Sequence, residues 1–206
     1  MPVPTIFDLC TPRADILRGR VTEAEFAADL ARVLANDSGA GYADYAVPAR
    51  FFANTYPTRG LKDLLANVCR RLSGVGGEVA AIFRLDTAYG GGKTHGLIAL
   101  AHAAKGMQGV ADPEEFVNAS LLPSGPVRVA AFDGENADPA NGRMLESGVL
   151  AKSPWGELAY ALAGKQGFER VRASDERHIG AGSEHAARAV RRPADPHSDR
   201  RVVRLP

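Results

Sequence analysis

A chain of 206 residues, 45% hydrophobic and 24% charged, is long enough to bury a core and has the composition of a globular protein. Its net charge of +1 excludes a global pull toward nucleic acid or membrane, and two cysteines exclude a disulfide framework. No apolar stretch reaches membrane-spanning length, and the N-terminus, with Pro2, Pro4 and Asp8, lacks the segments of a signal peptide, so a cytoplasmic setting is expected.

Near the start, Ile6, Phe7 and Leu9 are candidates for packing, and Ile16-Leu17 for a short helical turn. Thr22-Glu-Ala-Glu25 has capping-box spacing, and Phe26, Leu30, Val33 and Leu34 follow on one face, which predicts a helix to about Ala35. Asn36 to Gly39 stops it. Tyr42 to Pro48 reads as loop, followed by Phe51-Phe52 and Thr55-Tyr-Pro-Thr58. The aromatic residues here read as core or loop anchors in preference to a base-stacking platform. Thr58 is a good N-cap for a helix with Leu61, Leu64, Leu65, Val68 and Leu72 in one stripe, ending at Ser73 to Gly77.

Val79 to Leu85 is apolar on both faces and predicts a central strand of a parallel sheet. It leads into Gly90-Gly-Gly-Lys-Thr-His95 and a further helical pattern, the order of parts in a P-loop. The chemistry explains the residue types. Backbone N–H groups can surround a triphosphate only where no Cβ intervenes, so the turn needs glycine, here Gly90, Gly91 and Gly92. The following helix N-terminus favours anions, Lys93 brings a mobile charge to the outer phosphates, and the Thr94 hydroxyl is a ligand for Mg²⁺. The pattern departs from the full motif at one place: Thr87 stands where the first glycine would be. The plainer alternative is a glycine turn between strand and helix with an incidental lysine.

The helix after the loop should run from Lys93 to about Lys105, buried against the sheet, with a stop at Gly106. His95 and His102 fall near one face of it. Two histidines make no metal site without further ligands. His95, beside Thr94, is a candidate to face the nucleotide, with packing as the plainer reading. Asp112 to Phe116 predicts a short capped helix. Val127 to Asp133 predicts a second buried strand. Its end at Asp133, with Glu135, invites a Walker B reading, but Asp133 ends the first strand after the P-loop helix and a Walker B strand later in the chain is the preferred reading. Ser153-Pro154 opens a helix with Trp155, Leu158, Ala159 and Leu162 on one face and a stop at Gly164. From Ala186 onward apolar periodicity is lost, and Arg188, Arg191, Arg192, Arg200, Arg201 and Arg204 accumulate. This tail reads as disordered, as a basic arm, or as out of frame. With freely chosen codons, Asp195 to Pro206 shifted by one base becomes an apolar strand ending in Asp-Glu, which the coding DNA would decide.

Taken together, these residues resemble the N-terminal part of the prokaryotic domain-of-unknown-function 499 family, predicted P-loop ATP-binding proteins and ATPases. The resemblance rests on Phe26-Ala-Ala-Asp-Leu30, Phe51-Phe52, Thr55-Tyr-Pro-Thr58, Gly60-Leu-Lys62, Gly90 to His95, Phe132-Asp-Gly-Glu-Asn136 and Ser153-Pro-Trp-Gly-Glu-Leu158, and covers roughly residues 5 to 185. It implies an α/β fold: a partial P-loop NTPase (AAA/RecA-like) parallel sheet with an N-terminal helical segment and a disordered C-terminal tail. The expected divisions are 1–77, 78–180 and 181–206. Family members are longer, so the chain is expected to be truncated or frameshifted near its C-terminus, with hydrolysis needing a Walker B region beyond it. The implied cofactors are ATP and Mg²⁺, bound by Thr87, Gly90, Gly91, Gly92, Lys93, Thr94 and His95, with Thr94 on the metal. The resemblance also implies partner proteins linked to DNA modification, helicases or phage defence, and no membrane. Two alternatives stand beside the ATPase module: a nucleotide or small-molecule kinase, which needs an arginine-rich lid, and a non-catalytic DNA-associated interaction protein using the basic tail.

Overall fold

The computed structural model describes residues 3–12, 14–19, 28–35, 42–75, 77–86, 88, 90–134, 137–182 and 202–205. Two one-turn helices come first, α1 (Ile6–Leu9) and α2 (Ala14–Leu17). Asp8 accepts from the Thr5 N–H and hydroxyl at 2.8 and 2.7 Å, closing a capping box on α1. Ile6 and Leu9 are exposed and do not pack as expected.

Helix α3 (Leu30–Leu34) is shorter than its periodicity predicts. Asp29 is extended and its carboxylate takes the Ala31 N–H at 2.8 Å, so an aspartate cap starts the helix there. The predicted capping box at Thr22 to Glu25 lies outside the described residues. The stretch expected to be loop forms α4 (Ala43–Ala46) and, with Pro48 at its first position, α5 (Pro48–Ala53). Helix α5 buries Phe51 and Phe52.

Helix α6 (Arg59–Ser73) follows the predicted boundaries. Thr58 Oγ1 accepts from the Leu61 N–H at 3.3 Å, and Gly74 closes the helix in the left-handed region. Of the predicted stripe Leu65, Val68 and Leu72 are buried and Leu61 and Leu64 half-buried, and Cys69 joins the buried face. Helix α7 (Lys93–Ala104) packs on α6 and is apolar nearly all round, which is why Ile98 to Ala104 are all buried. One core joins these helices: Val33, Tyr42, Phe51, Phe52, Leu65, Cys69, Ile98 and Phe116 are among its members.

The expected parallel P-loop sheet is not formed. Val79 to Leu85 carries no strand, and Ile82 is 86% exposed. An apolar run has strand propensity, but a strand exists only with a ladder partner, and this segment has none among the described residues. It bends at Ala81, with the Arg71 guanidinium donating to the Val79 carbonyl at 3.3 Å and Phe83 half-buried against the core. The second predicted strand does appear, as β1 (Arg128–Ala131). The described strands make only two two-stranded sheets. In one, β2 (Arg143–Met144) runs antiparallel to β3 (Leu150–Ala151). In the other, β1 pairs in parallel with β4 (Val202–Leu205), Arg128 opposite Val202 and Ala131 opposite Leu205. Helix therefore dominates, and the α/β sheet reading is corrected. The rest of the arginine-rich tail lies outside the described residues. The predicted helix at Asp112 is a single 3₁₀ turn, Pro113–Glu115.

The last helix, α8 (Pro154–Glu176), is broken at Ala163 and Gly164 by non-helical backbone. A straight helix would hold Ser153 and Asp175 about 33 Å apart. Instead the Ser153 hydroxyl donates to Asp175 Oδ1 at 2.6 Å, so the chain folds back at the predicted stop and resumes as helix.

Candidate functional site

The Gly90–Thr94 loop has the backbone its glycines suggest. Gly90 and Gly92 sit at φ 77° and 74°, a region that costs an L-residue roughly 1–2 kcal/mol. The Gly91 N–H donates to the Ala88 carbonyl at 3.0 Å, which closes the turn. Gly92 is the N-cap of α7 and has no side chain to cap it. The first intrahelical bond runs from the Gly96 N–H to the Gly92 carbonyl at 2.8 Å. The Lys93 ammonium folds back over the loop and donates to the Ala88 carbonyl at 3.2 Å. Gly90, Gly91, Gly92, Lys93 and Thr94 are all exposed. Thr87 lies outside the described residues.

His95 ties this loop to the segment before α6. Its Nε2 lies 2.9 Å from Thr55 Oγ1, and that hydroxyl lies 2.6 Å from the Phe51 carbonyl. The carbonyl can only accept, so the single hydroxyl proton goes to Phe51 and His95 donates its Nε2–H. The neutral ring then keeps Nδ1 as an acceptor. The Phe51 ring stacks on His95 at 4.5 Å and also meets His102 at 5.3 Å. His102 is buried and donates Nε2–H to the Tyr45 carbonyl at 2.8 Å, so it serves the core and not the loop.

Burial holds both histidines below the ordinary value of 6.5, with the Tyr45 carbonyl opposing the shift at His102. Depressed folded-state values mean that the unfolded chain binds more protons just below 6.5. Their contribution to stability is therefore complete above 6.5 and lost as the pH falls below it. Urea midpoints should fall between about pH 7 and about pH 5.5, and imidazole resonances should titrate below 6.5. Titration of both rings at or above 6.5 would contradict this.

A pocket of about 430 Å³ opens beside the loop. Gly91, Gly92, Lys93, His95 and Gly96 line it from the loop and the start of α7, Asn54, Thr55, Tyr56, Thr58, Gly60, Leu61 and Leu64 line it from the start of α6 and the segment before it, and Leu85 also lines it. The N-termini of α6 and α7 thus share one cavity. Sequence reasoning placed the first set of residues and missed the second. The signal was present, since Phe51-Phe52, Thr55 to Thr58, Gly60-Leu61 and Gly90 to His95 were separate motifs that the fold unites. Among the described residues that line the pocket there is no Asp or Glu. Asp133 is not among them either, and Glu135 and Asn136 lie outside the described residues. Among the described residues no group of three His, Cys, Asp or Glu side chains could hold a metal ion, and no helix is long and apolar enough to cross a membrane.

Ser153 to Leu158, another of the family-like motifs, is built for packing. Ser153 caps α8 by accepting from the Gly156 N–H at 3.3 Å, and its own proton goes to Asp175. Asp175, 1% exposed, also accepts from the Lys152 N–H at 3.0 Å. Gly156 leaves the space that the carboxylate occupies.

No curated protein and no solved structure matches the chain. The family model described as the DUF499 N-terminal domain matches residues 11–186, so the chain belongs to the DUF499 family.

Proposed function

We propose that the chain is an ATP- and Mg²⁺-binding module of a larger P-loop ATPase. The observation that carries this reading is the loop itself: two left-handed glycines lead directly into an uncapped helix N-terminus, with a lysine at its first position and a cavity in front. A helix start without a side-chain cap has N–H donors and a positive dipole end to offer an anion. The exposed Lys93 ammonium, 3.2 Å from a loop carbonyl, stands at the loop where a phosphate oxygen would be its charge-assisted acceptor. Gly90, Gly91 and Gly92 then cradle the phosphates, and His95 holds the first turn of α7 against Thr55.

Thr94 is the residue that would hold Mg²⁺, which would supply neutralisation of the phosphate charge. Among the described residues the lining of the pocket offers no carboxylate to orient an attacking water, so this reading assigns binding to these residues and leaves hydrolysis to others. The link to DNA modification or phage defence extends the same reading to partners. Equilibrium titration of the full chain with Mg-ATP tests the proposal. Saturable binding that weakens in Lys93→Ala supports it, and equal affinity in the two proteins contradicts it.

A further inference from the structure

We propose that the α6 side of the pocket seats the nucleobase of the bound nucleotide, with Tyr56 as its stacking face and Leu61, Leu64 and Leu85 as the apolar wall. This rests on the phosphate-binding reading and adds the other half of the ligand. The two helix starts that share the cavity differ in chemistry. At α7 the cap is a glycine and a lysine follows. At α6 the Thr58 hydroxyl already takes the Leu61 N–H, and the side chains that the helix presents to the pocket after it are Leu61 and Leu64, with Gly60 before them. Charge thus belongs at the α7 end and an apolar, flat group at the α6 end. The volume of about 430 Å³ falls within the range of about 300–1,000 Å³ found for small-molecule sites.

Tyr56 is the second observation. The aromatic residues around it are spent on the core: Tyr42 and Phe51 are 1% exposed and Phe52 is 3% exposed. Tyr56 is 81% exposed and lies at the pocket. A large ring left in water gains nothing for folding, whereas an aromatic face beside a phosphate site can gain from stacking on a base. Pro57 restricts the Tyr56 backbone to extended geometry, so the ring is carried on a stiff support. Asn54, two residues earlier, lines the same cavity with one donor and one acceptor group suited to a base edge. Stacking tolerates every base, so this face supplies affinity and not base selectivity.

The test compares Mg-ATP with Mg-tripolyphosphate, which carries the phosphates without the base, on the full chain. The wild type should bind ATP about tenfold more tightly than tripolyphosphate. Tyr56→Ala should lose most of that advantage and keep its tripolyphosphate affinity, while Tyr56→Phe should retain it. Because the side chain is exposed, neither change threatens the fold. Equal wild-type affinity for the two ligands, or an unchanged ATP affinity in Tyr56→Ala, overturns the base site and leaves the phosphate site standing. A wild type that binds neither ligand overturns both.

Discussion

Replacing Lys93 with alanine is expected to weaken Mg-ATP binding by about tenfold to a hundredfold, the equivalent of one hydrogen bond to a charged group at about 1.5–3 kcal/mol. The unfolding midpoint should stay where it is. Both expectations come from the same geometry. Lys93 is exposed at the first position of α7, and its ammonium reaches a loop carbonyl at 3.2 Å across solvent. An exposed hydrogen bond of that kind adds little to the fold, and removing it should shift stability by about 0.5 kcal/mol at most. The same ammonium against a phosphate would make a charge-assisted contact, stronger than its bond to a neutral carbonyl. Titration calorimetry and thermal melting separate the two effects. Loss of fold together with loss of binding would show that Lys93 is a structural residue.

The largest effect on stability is expected at the closure of α8. Asp175 is 1% exposed and accepts from the Ser153 hydroxyl at 2.6 Å and the Lys152 N–H at 3.0 Å. Asp175→Ala leaves two donors without their acceptor, each at about 1–3 kcal/mol, so a loss of about 3 kcal/mol is expected. Gly156→Ala strikes the same carboxylate from the other side. A Cβ there would stand 2.8 Å from Asp175 Cγ and 3.1 Å from the Phe168 ring, an overpacking worth about 1–3 kcal/mol. The two changes share one contact and should not add. In the Asp175→Ala background, Gly156→Ala should cost clearly less than it does alone. Urea denaturation of the four proteins gives the cycle. Simple additivity would mean that the carboxylate does not oppose the added methyl group.

Local chemistry was legible in the sequence wherever a short-range signal matched a short-range cause. Thr58 and Gly74 bound α6, Ser153 and Pro154 start α8, and Gly164 marks its break, because caps and breakers act within a turn. The glycine loop was legible for the same reason. The sheet was not. Val79 to Leu85 has the composition of a central strand, but pairing depends on a partner distant in sequence, and no composition reveals whether one arrives. The helical entry at Asp29 was hidden by a periodicity that runs through it, and α4 and α5 by their shortness. The site was half legible. Gly90 to His95 shows in sequence as a glycine turn entering a helix, whereas Thr55, Tyr56 and Leu64 join it only through the packing of α6 on α7 and the His95–Thr55 hydrogen bond.

The central claim is that the loop before α7 binds the phosphates of a nucleotide, and an amide-resolved NMR titration of the full chain with Mg-ATP tests it most directly. The account predicts saturable shifts of the backbone amides of Gly90, Gly91, Gly92, Lys93, Thr94 and His95. Amides at those positions that stay unmoved at saturating Mg-ATP, or shifts confined to other parts of the chain, would contradict it.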